Sequence, residues 1–268
     1  MTLIDDAQLA RILADAAGAE LLAIRGDAAL AGKALKAAGD AGAQRVLAEL
    51  LAKHRPDDAV LSEEAAESHG VARLGAERVW IVDPLDGTRE FSERPRTDWA
   101  VHVALWSRGD LVAGAVALPA RGVTYGTDAP PVPPPSAADT GTGRVRLAVS
   151  RSRPPEFTGP LAEELGAELV PMGSAGVKCA AVWTGEADVY VHAGGQYEWD
   201  SAAPVAVARA AGLHTSRVDG SRLVYNAADP LLPDLVVCRA GLASRVLAAA
   251  ARHVQTGRGG SAQAGMEG

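Results

Sequence analysis

The first part of the chain carries hydrophobic residues at the spacing of amphipathic helices. In segments 5–25 and 41–54, apolar residues recur every three or four positions, and this pattern predicts a helix over each segment. Residues 26–39, between them, are rich in Gly, Ala and Lys but show no clear period, and we predict a mobile loop there. The second predicted helix ends before Pro56.

Short apolar, β-branched runs follow and predict five strands. Ser107, Arg108, Gly109 and Asp110 form a turn that joins the third and fourth of these strands into a hairpin. The order of the runs predicts an antiparallel meander in this part of the chain. The predicted strands cover residues 60–61, 79–82, 100–106, 111–118 and 123–125.

Strand and helix patterns alternate after residue 144, which indicates α/β organisation. The predicted strands cover 145–149, 168–171, 187–192 and 235–238, and the predicted helices lie around 161–165, 177–183, 201–211 and 242–253.

We therefore divide the chain into an α+β half, 1–128, and an α/β half, 144–254. A Pro- and Gly-rich connector, 129–143, joins them, and its run of prolines is typical of polyproline II structure. Such a run can also bind an SH3-like partner, although a connector needs none. The Gly- and Ser-rich tail, 255–268, is predicted to be disordered.

Composition and charge exclude several classes of function. The net charge of −7 and the lack of a basic stripe argue against a nucleic-acid partner. No apolar stretch is long enough to span a membrane, and the N-terminus lacks the features of a signal peptide. The 2 cysteines are far apart and are expected to be buried thiols, so we expect a cytoplasmic protein.

The segment from Val79 to Ser92 contains the most informative chemistry. An apolar run leads into Asp83, Asp86, Gly87 and Thr88, with a helix start predicted at the hydroxyl. Carboxylates held on a rigid turn suit Mg²⁺, which takes oxygen ligands from protein and phosphate together. Gly87 would let the backbone approach a ligand closely. Taken alone, the motif also fits an Asp-Gly hairpin turn with a locally bonded second Asp.

Two further acidic sites strengthen the metal interpretation. Glu63 and Glu64 follow a short apolar run, and Asp200 stands at the head of the predicted helix 201–211. Separately, the glutamates fit a solvated loop, and Asp200 fits a helix N-cap with Pro204 in the first turn. Together, three acidic sites at strand ends or helix starts are what a multi-metal phosphate-hydrolysing centre requires.

These residues resemble the Mg²⁺-dependent, lithium-sensitive phosphatase superfamily of inositol monophosphatase, fructose-1,6-bisphosphatase and 3′-phosphoadenosine 5′-phosphate phosphatase. The shared pattern is Glu-Glu, then Trp-Ile/Leu-Val-Asp-Pro-Leu/Ile-Asp-Gly-Thr, then Trp-Asp near a helix start, and all three parts occur here in order. The similarity runs through roughly residues 5–240. It implies a layered α-β-α-β-α sandwich with the site at the junction of its halves.

The resemblance also assigns roles to individual residues. Asp40, Glu64 and Thr88 match the groups that activate the attacking water, although the family usually has Thr where Ala37 stands, which puts the role of Asp40 in question. It implies two or three Mg²⁺ ions and inhibition by lithium. The implied metal ligands are Glu63, Asp83, the carbonyl of Leu85, Asp86 and Asp200, and the implied substrate contacts are Glu63, Leu85, Asp86, Gly87, Thr88, Ser174, Lys178 and Asp200.

The resemblance implies a small phosphate ester as the substrate, and two features favour a nucleotide. Lys178 and the Ser150-Arg151-Ser152 run resemble the branch that removes the 3′-phosphate of 3′-phosphoadenosine 5′-phosphate, whose second phosphate they could meet. Ala193 stands where the inositol branch has a Glu that contacts an inositol hydroxyl. Lys178 could equally be a surface residue. Hydrolysis of 3′-phosphoadenosine 5′-phosphosulfate, inositol 1-phosphate or fructose 1,6-bisphosphate, or broad specificity, stays open, as does a homodimeric assembly.

Two rival classes remain. A haloacid-dehalogenase-type phosphatase has one residue between its two acids and forms a phosphoenzyme, whereas Asp83 and Asp86 have two residues between them. A non-catalytic protein that binds Mg²⁺ or a nucleotide would retain the same acids without turnover. The 6 histidines show no ligand spacing and are interpreted as structural or surface residues, with His192 the one that could face the substrate.

Overall fold

The computed structural model of the chain describes residues 4–65, 71–136, 138 and 141–260, with the backbone alone at residue 71 and over 255–260. Two long helices open the chain, α1 (Asp6–Gly26) and α2 (Gly32–His54). Asp5 caps α1 by accepting the N–H of Gln8 (2.8 Å). Among the described residues, no helix is long and apolar enough to cross a membrane.

The predicted loop over 26–39 is wrong from Gly32 onwards, because α2 begins there. Ala, Leu and Lys are strong helix formers, and Leu35 is buried against the neighbouring elements. Gly39 lies against Phe91, and a Cβ at this position would stand only 2.7 Å from that ring. The close packing places Asp40, the next residue, over the end of the second strand.

The first sheet has the order β1-β2-β3-β4-β5. β1 and β2 are parallel, and the remaining pairs are antiparallel, so the predicted meander and its hairpin turn are confirmed. Each predicted strand is present with somewhat longer bounds. They are β1 (Ala59–Ser62), β2 (Arg78–Asp86), β3 (Ala100–Ser107), β4 (Asp110–Leu118) and β5 (Val123–Gly126). A short helix, α3 (Thr88–Ser92), follows β2.

The second sheet is mixed and has the order β7-β6-β8-β10-β9. Its strands are β6 (Val145–Ser150), β7 (Ala167–Met172), β8 (Val189–Tyr197), β9 (His214–Ser216) and β10 (Leu231–Cys238). The helices of this half are α4 (Thr158–Leu165), α5 (Ala175–Thr184), α6 (Glu198–Ala210) and α7 (Ala243–Gly260). The sequence pattern misses β9, because three residues are too few to show a period.

Three buried clusters define the layers. One lies between α1, α2 and the first sheet, and another between the second sheet and helices α4 and α7. The third contains α5 and α6 and lies between the two sheets, drawing residues from both halves. Successive side chains of β2 alternate between the two faces of the first sheet. Val79 and Ile81 belong to the central cluster, whereas Trp80 and Val82 pack against α1 and α2. The predicted layered α-β-α-β-α sandwich is confirmed.

Several boundaries in the second half differ from the prediction. β8 continues to Tyr197, and α6 begins at Glu198, so Asp200 lies inside the first turn and Pro204 lies in the helix interior. Residues 130–136 of the predicted connector lie outside helices and strands. α7 continues to Gly260, so the predicted disorder does not begin at residue 255. Residues 261–268 of the predicted tail lie outside the described part of the chain.

Candidate active site

The end of β2 presents Asp83 and Asp86 on a distorted stretch of backbone. The pairing with β3 is irregular between these two residues, and the strand extends to Asp86 where a turn was expected. The N–H of Leu85 donates to Asp83 Oδ1 (3.0 Å). Gly87 then adopts a left-handed conformation (φ 87°) and leads into α3, which begins at Thr88 as predicted. This φ value favours glycine, so the residue type is required by the turn itself.

Asp83, Asp86 and Asp200 converge from two elements that are distant in sequence. Each residue offers one carboxylate oxygen, and these oxygens all lie within 4.8 Å of one another. Asp83 and Asp86 are buried, while Asp200 is half-buried. The Asp200 carboxylate also accepts a hydrogen bond at Oδ2 from the N–H of Tyr197 (2.6 Å). An all-oxygen donor set of this size fits Mg²⁺.

The electrostatics of this cluster also fit a cation. Burial, followed by the charges of Glu63 and Asp86, raises the pKa of Asp83 well above its ordinary value. Burial and then the charge of Asp86 raise the pKa of Asp200 to about 7. Three carboxylates in a water-poor site repel one another, and a divalent ion would remove that cost.

Glu63 joins the same cluster from the first sheet. It begins a short 3₁₀ turn (Glu63–Ala65) directly after β1, so the expected solvated loop is instead a defined turn. Although the residue is exposed as a whole, its carboxyl group is crowded by protein, and burial raises its pKa to about 7 against a hydrogen bond with Asp83 that lowers it. The structure thus brings four of the acids predicted from sequence to one place.

Asp40 and Thr88 are hydrogen-bonded to each other beside the cluster. The Thr88 hydroxyl oxygen also lies 3.1 Å from the carbonyl oxygen of Leu85, so its one hydrogen has two acceptors within reach. Burial, followed by the charge of Glu64, raises the pKa of Asp40 to about 6. Asp40, Glu64, Thr88 and the Leu85 carbonyl therefore lie together in the structure, with Ala37 at the position where the family usually has Thr.

Helix α5 anchors Asp86 from the opposite side. The Ser174 hydroxyl (2.5 Å) and the N–H of Gly176 (2.7 Å) both donate to Asp86 Oδ2. Ser174 is also the N-cap of α5, since its hydroxyl accepts the N–H of Val177 (3.0 Å). The side chain that was expected to contact substrate is therefore engaged with Asp86 and its own helix.

Lys178 is buried, so its interpretation as a surface residue is wrong. Its ammonium group donates to the carbonyl of Ser174 (2.6 Å) and lies 5.4 Å from the centre of the Tyr190 ring. Burial lowers the pKa of Lys178, while the carboxylates of Asp86 and Glu90 act in the opposite direction. The Lys178 amine therefore lies close enough to Asp86 and Glu90 for their charges to favour its protonated form against burial.

Arg151 forms ion pairs with two acids near the phosphate-binding turn predicted at Gly87 and Thr88. Its Nη2 lies 2.8 Å from Glu90 Oε1 and 2.8 Å from Glu93 Oε2. Glu90 is buried on α3, and sequence reasoning missed it because its partner comes from the other half of the chain. Arg151 is therefore held in place by α3 and is not a solvated loop charge.

One histidine, His102, lies beside the acidic cluster. His102 is fully buried, with Nε2 3.3 Å from Asp86 Oδ2 and Nδ1 3.1 Å from the carbonyl oxygen of Trp199. Burial lowers the pKa of His102, which favours its neutral form. His192 is half-buried, and its Nε2 lies 2.6 Å from the carbonyl oxygen of Gly194. The group that reaches the acidic cluster is thus His102, which the sequence offered no means to single out.

Comparisons with known proteins identify the family to which the chain is similar. The model of the inositol monophosphatase family matches residues 7–256. A 3′-phosphoadenosine 5′-phosphate phosphatase of Mycobacterium leprae is 50% identical over 257 residues, covering 90% of this chain and 92% of that protein. The 3′(2′),5′-bisphosphate nucleotidase CysQ of Salmonella typhimurium is 32% identical over 73% of this chain and 81% of its own.

The fold comparison gives the same result. The structure of an inositol monophosphatase from Anabaena superposes with a TM-score of 0.72 at 21% identity, covering 92% of this chain and 95% of that chain. At this level of identity the likeness concerns the fold alone.

Proposed function

The chain belongs to the inositol monophosphatase family, and from that premise we propose that it is a Mg²⁺-dependent phosphomonoesterase that removes the 3′-phosphate of 3′-phosphoadenosine 5′-phosphate. The observation that carries this proposal is the 50% identity to the Mycobacterium leprae phosphatase over nearly the whole of both chains. The acidic cluster supports it, because phosphate ester hydrolysis by this family of folds needs oxygen ligands from several elements.

In this proposal Asp83, Asp86 and Asp200 hold the metal, and Glu63 and the Leu85 carbonyl complete the donor set. When bound, Mg²⁺ neutralises charge on the phosphate and makes water more acidic. The number of ions, two or three, belongs to the proposal. The raised pKa values of Glu63 and Asp200 support a bound cation, because burial, together with the charge of Asp86, disfavours the ionised carboxylates in its absence.

Thr88 orients the attacking water in this reaction, and Asp40 accepts its proton. The hydrogen bond between these two side chains favours Asp40 over Glu64 as the base. A pKa of about 6 lets Asp40 be ionised at neutral pH while it retains affinity for a proton. Gly87 keeps the turn beneath the phosphate free of a side chain.

Lys178 supports a substrate with a second phosphate. One of its three ammonium hydrogens is used by the Ser174 carbonyl, which leaves two for an anion. Ala193 offers no acid to an inositol hydroxyl. Both features favour the bisphosphorylated nucleotide, and the phosphosulfate analogue is a second candidate because it carries the same 3′-phosphate.

A phosphate-release panel tests the proposal. The purified chain would be assayed with Mg²⁺ against 3′-phosphoadenosine 5′-phosphate, its 5′-phosphosulfate analogue, inositol 1-phosphate and fructose 1,6-bisphosphate. We expect the highest kcat/KM for the bisphosphorylated nucleotide. A clear preference for inositol 1-phosphate or fructose 1,6-bisphosphate would overturn the substrate assignment but not the phosphatase reaction.

Asp86→Asn is the matched control for this panel. Asn can still accept the Ser174 and Gly176 hydrogen bonds at its amide oxygen, so the fold should persist. Mutation of residues that only support metal ligands typically lowers activity by roughly 10- to 100-fold. Because Asp86 is itself a proposed ligand, the loss of its charge should lower turnover by more than this. Release of phosphate at the wild-type rate by this variant would mean that the metal site lies elsewhere. A wild-type chain that binds Mg²⁺ but releases no phosphate would instead support the non-catalytic alternative.

A further inference from the structure

His102 occupies an unusual position for an ionisable side chain. It is the third residue of β3, directly opposite Asp83 in the register of β2 and β3, and it is completely buried. Its neighbours along the strand, Val101 and Val103, are apolar core residues on the other face of the sheet. The imidazole therefore points into the layer where the acidic cluster meets helices α5 and α6.

The contacts of the ring fix its hydrogen. Nδ1 lies 3.1 Å from the carbonyl oxygen of Trp199, and a carbonyl can only accept. Nδ1 therefore carries the hydrogen and donates it, and in the neutral ring Nε2 is left with a lone pair. Nε2 has no hydrogen-bond partner among the described residues, although Asp86 Oδ2 is 3.3 Å away. The one hydrogen bond of this buried ring is thus directed at α6.

That hydrogen bond joins the two parts of the acidic cluster. Asp83 and Asp86 come from the first sheet, whereas Asp200 comes from α6, and Trp199 is the residue directly before Asp200. Fixing the Trp199 carbonyl fixes the first turn of α6 relative to β3. Since β3 pairs with the strand that carries Asp83, the ring sets how far Asp200 stands from the other two carboxylates.

Helix α5 is shaped to accommodate this ring. A Cβ at Gly176 would overlap His102 Nε2, so only glycine allows α5 to approach while its own N–H donates to Asp86. Asp86 Oδ2 therefore meets Ser174, Gly176 and the imidazole together. This packing orients the carboxylate and leaves its other oxygen for a ligand.

We propose that His102 is a positioning residue that holds the Asp200 helix in register with Asp83 and Asp86 through its Nδ1 hydrogen bond to Trp199. The inference rests on the magnesium site of the proposed function. His102 touches neither the metal nor the substrate in this role. It acts through the two elements that it connects, and outer residues of this kind typically change metal affinity by about 10- to 100-fold.

The test uses side chains that replace one ring nitrogen at a time. The amide nitrogen of Asn can take the place of Nδ1, and that of Gln the place of Nε2. Mg²⁺ binding to the chain alone would be measured by titration calorimetry for the wild type, His102→Ala, His102→Asn and His102→Gln. Leu161→Ala, a buried change in α4 remote from the site, controls for general destabilisation.

We expect His102→Ala and His102→Gln to bind Mg²⁺ at least about tenfold more weakly than the wild type, and His102→Asn to stay within about threefold. The Mg²⁺ concentration for half-maximal activity should rise in parallel, with KM for substrate at saturating Mg²⁺ nearly unchanged. Rescue by Gln but not Asn would overturn the proposal, because the Nε2 contact with Asp86 would then be the important one.

Equal Mg²⁺ affinity in the wild type and His102→Ala would also overturn it, as would an equal loss in Leu161→Ala. If the wild type itself binds no Mg²⁺, the proposed function fails first, and the calorimetry separates that result from a failure of the His102 assignment. If His102→Ala does not fold, the comparison of Asn with Gln still decides the question.

Discussion

The hydroxyl of Thr88 has two partners that give it a direction. Its oxygen lies 3.1 Å from the Leu85 carbonyl oxygen and is hydrogen-bonded to Asp40, so its single hydrogen is directed at these two acceptors and its lone pairs can accept from a water. If this arrangement orients the attacking water, Thr88→Ser should retain turnover within about tenfold, whereas Thr88→Val should lose on the order of 100-fold. Steady-state phosphate release at saturating Mg²⁺ measures both. Equal rates in the two variants would remove the hydroxyl from the mechanism.

Site residues could be predicted from the sequence where their geometry depends only on neighbouring residues in the chain. Asp83, Asp86, Gly87 and Thr88 lie within one strand-turn-helix segment, so the spacing of the residues already describes their geometry. His102 could not be found in this way, because its partners lie on another strand and on a helix almost a hundred residues away. A lone histidine in an apolar run is ordinarily a core residue, and only the tertiary contact distinguishes this one.

Helix α5 depends on Gly176 for its distance from the first sheet. In Gly176→Ala the new methyl group would overlap the His102 ring, and forced overpacking of a core typically costs about 1–3 kcal/mol. We expect a corresponding drop in the free energy of unfolding and weaker Mg²⁺ binding, measured by urea denaturation and calorimetry. Gly26→Ala at the end of α1, with no described neighbour within 4 Å of the new methyl group, is the matched control.

The control variant should be neutral or slightly stabilising, because it only removes freedom from the unfolded chain. Full stability together with unchanged Mg²⁺ affinity in Gly176→Ala would contradict the close packing.

The boundaries of the elements show where prediction from the sequence is limited. Residues 32–39 were predicted as part of a loop because the segment shows no clear period, but they belong to α2, and Gly39 leaves the space that the Phe91 ring occupies.

Asp188 ties several elements of the second half together. It precedes β8, and its carboxylate accepts hydrogen bonds from Arg146 of β6 (2.9 Å) and from Ser136 of the connector (2.6 Å). Burial alone would raise the pKa of Asp188, but these hydrogen bonds outweigh it, so the pKa lies below its ordinary value of 3.8. A depressed pKa in the folded state stabilises the protein above the pKa of the unfolded state.

We therefore expect Asp188→Asn to lower the free energy of unfolding by roughly 2–3 kcal/mol at pH 7, a modest value because the Arg146 side chain is 29% exposed. The difference from the wild type should persist down to about pH 4 and shrink as pH falls through the depressed pKa. Urea denaturation at several pH values measures it. A difference that grows on acidification would mean that the carboxylate is not stabilised in its charged form.

The whole molecule shares one central core. Residues from both halves pack in the layer between the sheets, and this layer carries α6 and therefore Asp200. The layered architecture could be predicted from sequence because strand and helix periods are strong over most of the chain. The mutual position of the halves could not, since it depends on contacts such as that between His102 and Trp199.

A metal held by ligands from both halves should stabilise the entire fold. At 100 times its Kd, Mg²⁺ should add about 2.7 kcal/mol, which corresponds to a rise in Tm of roughly 5–10 °C for a chain of this size. Asp200→Asn should lose most of this rise, because it removes the charge that the second half contributes. Differential scanning calorimetry with Mg²⁺ and with a chelator measures the effect. An equal rise in the variant would mean that Asp200 is not a ligand.

Lithium tests the same site through its charge. Li⁺ has about the size of Mg²⁺ with half its charge, so it can occupy an all-oxygen site without polarising the phosphate adequately. We expect lithium to inhibit phosphate release at low Mg²⁺, and Asp200→Asn to change the lithium sensitivity together with the Mg²⁺ requirement. Potassium at equal ionic strength is the control, because it separates occupancy of the site from general screening. Full activity in excess lithium would contradict a role for Asp200 beside the ion that lithium replaces.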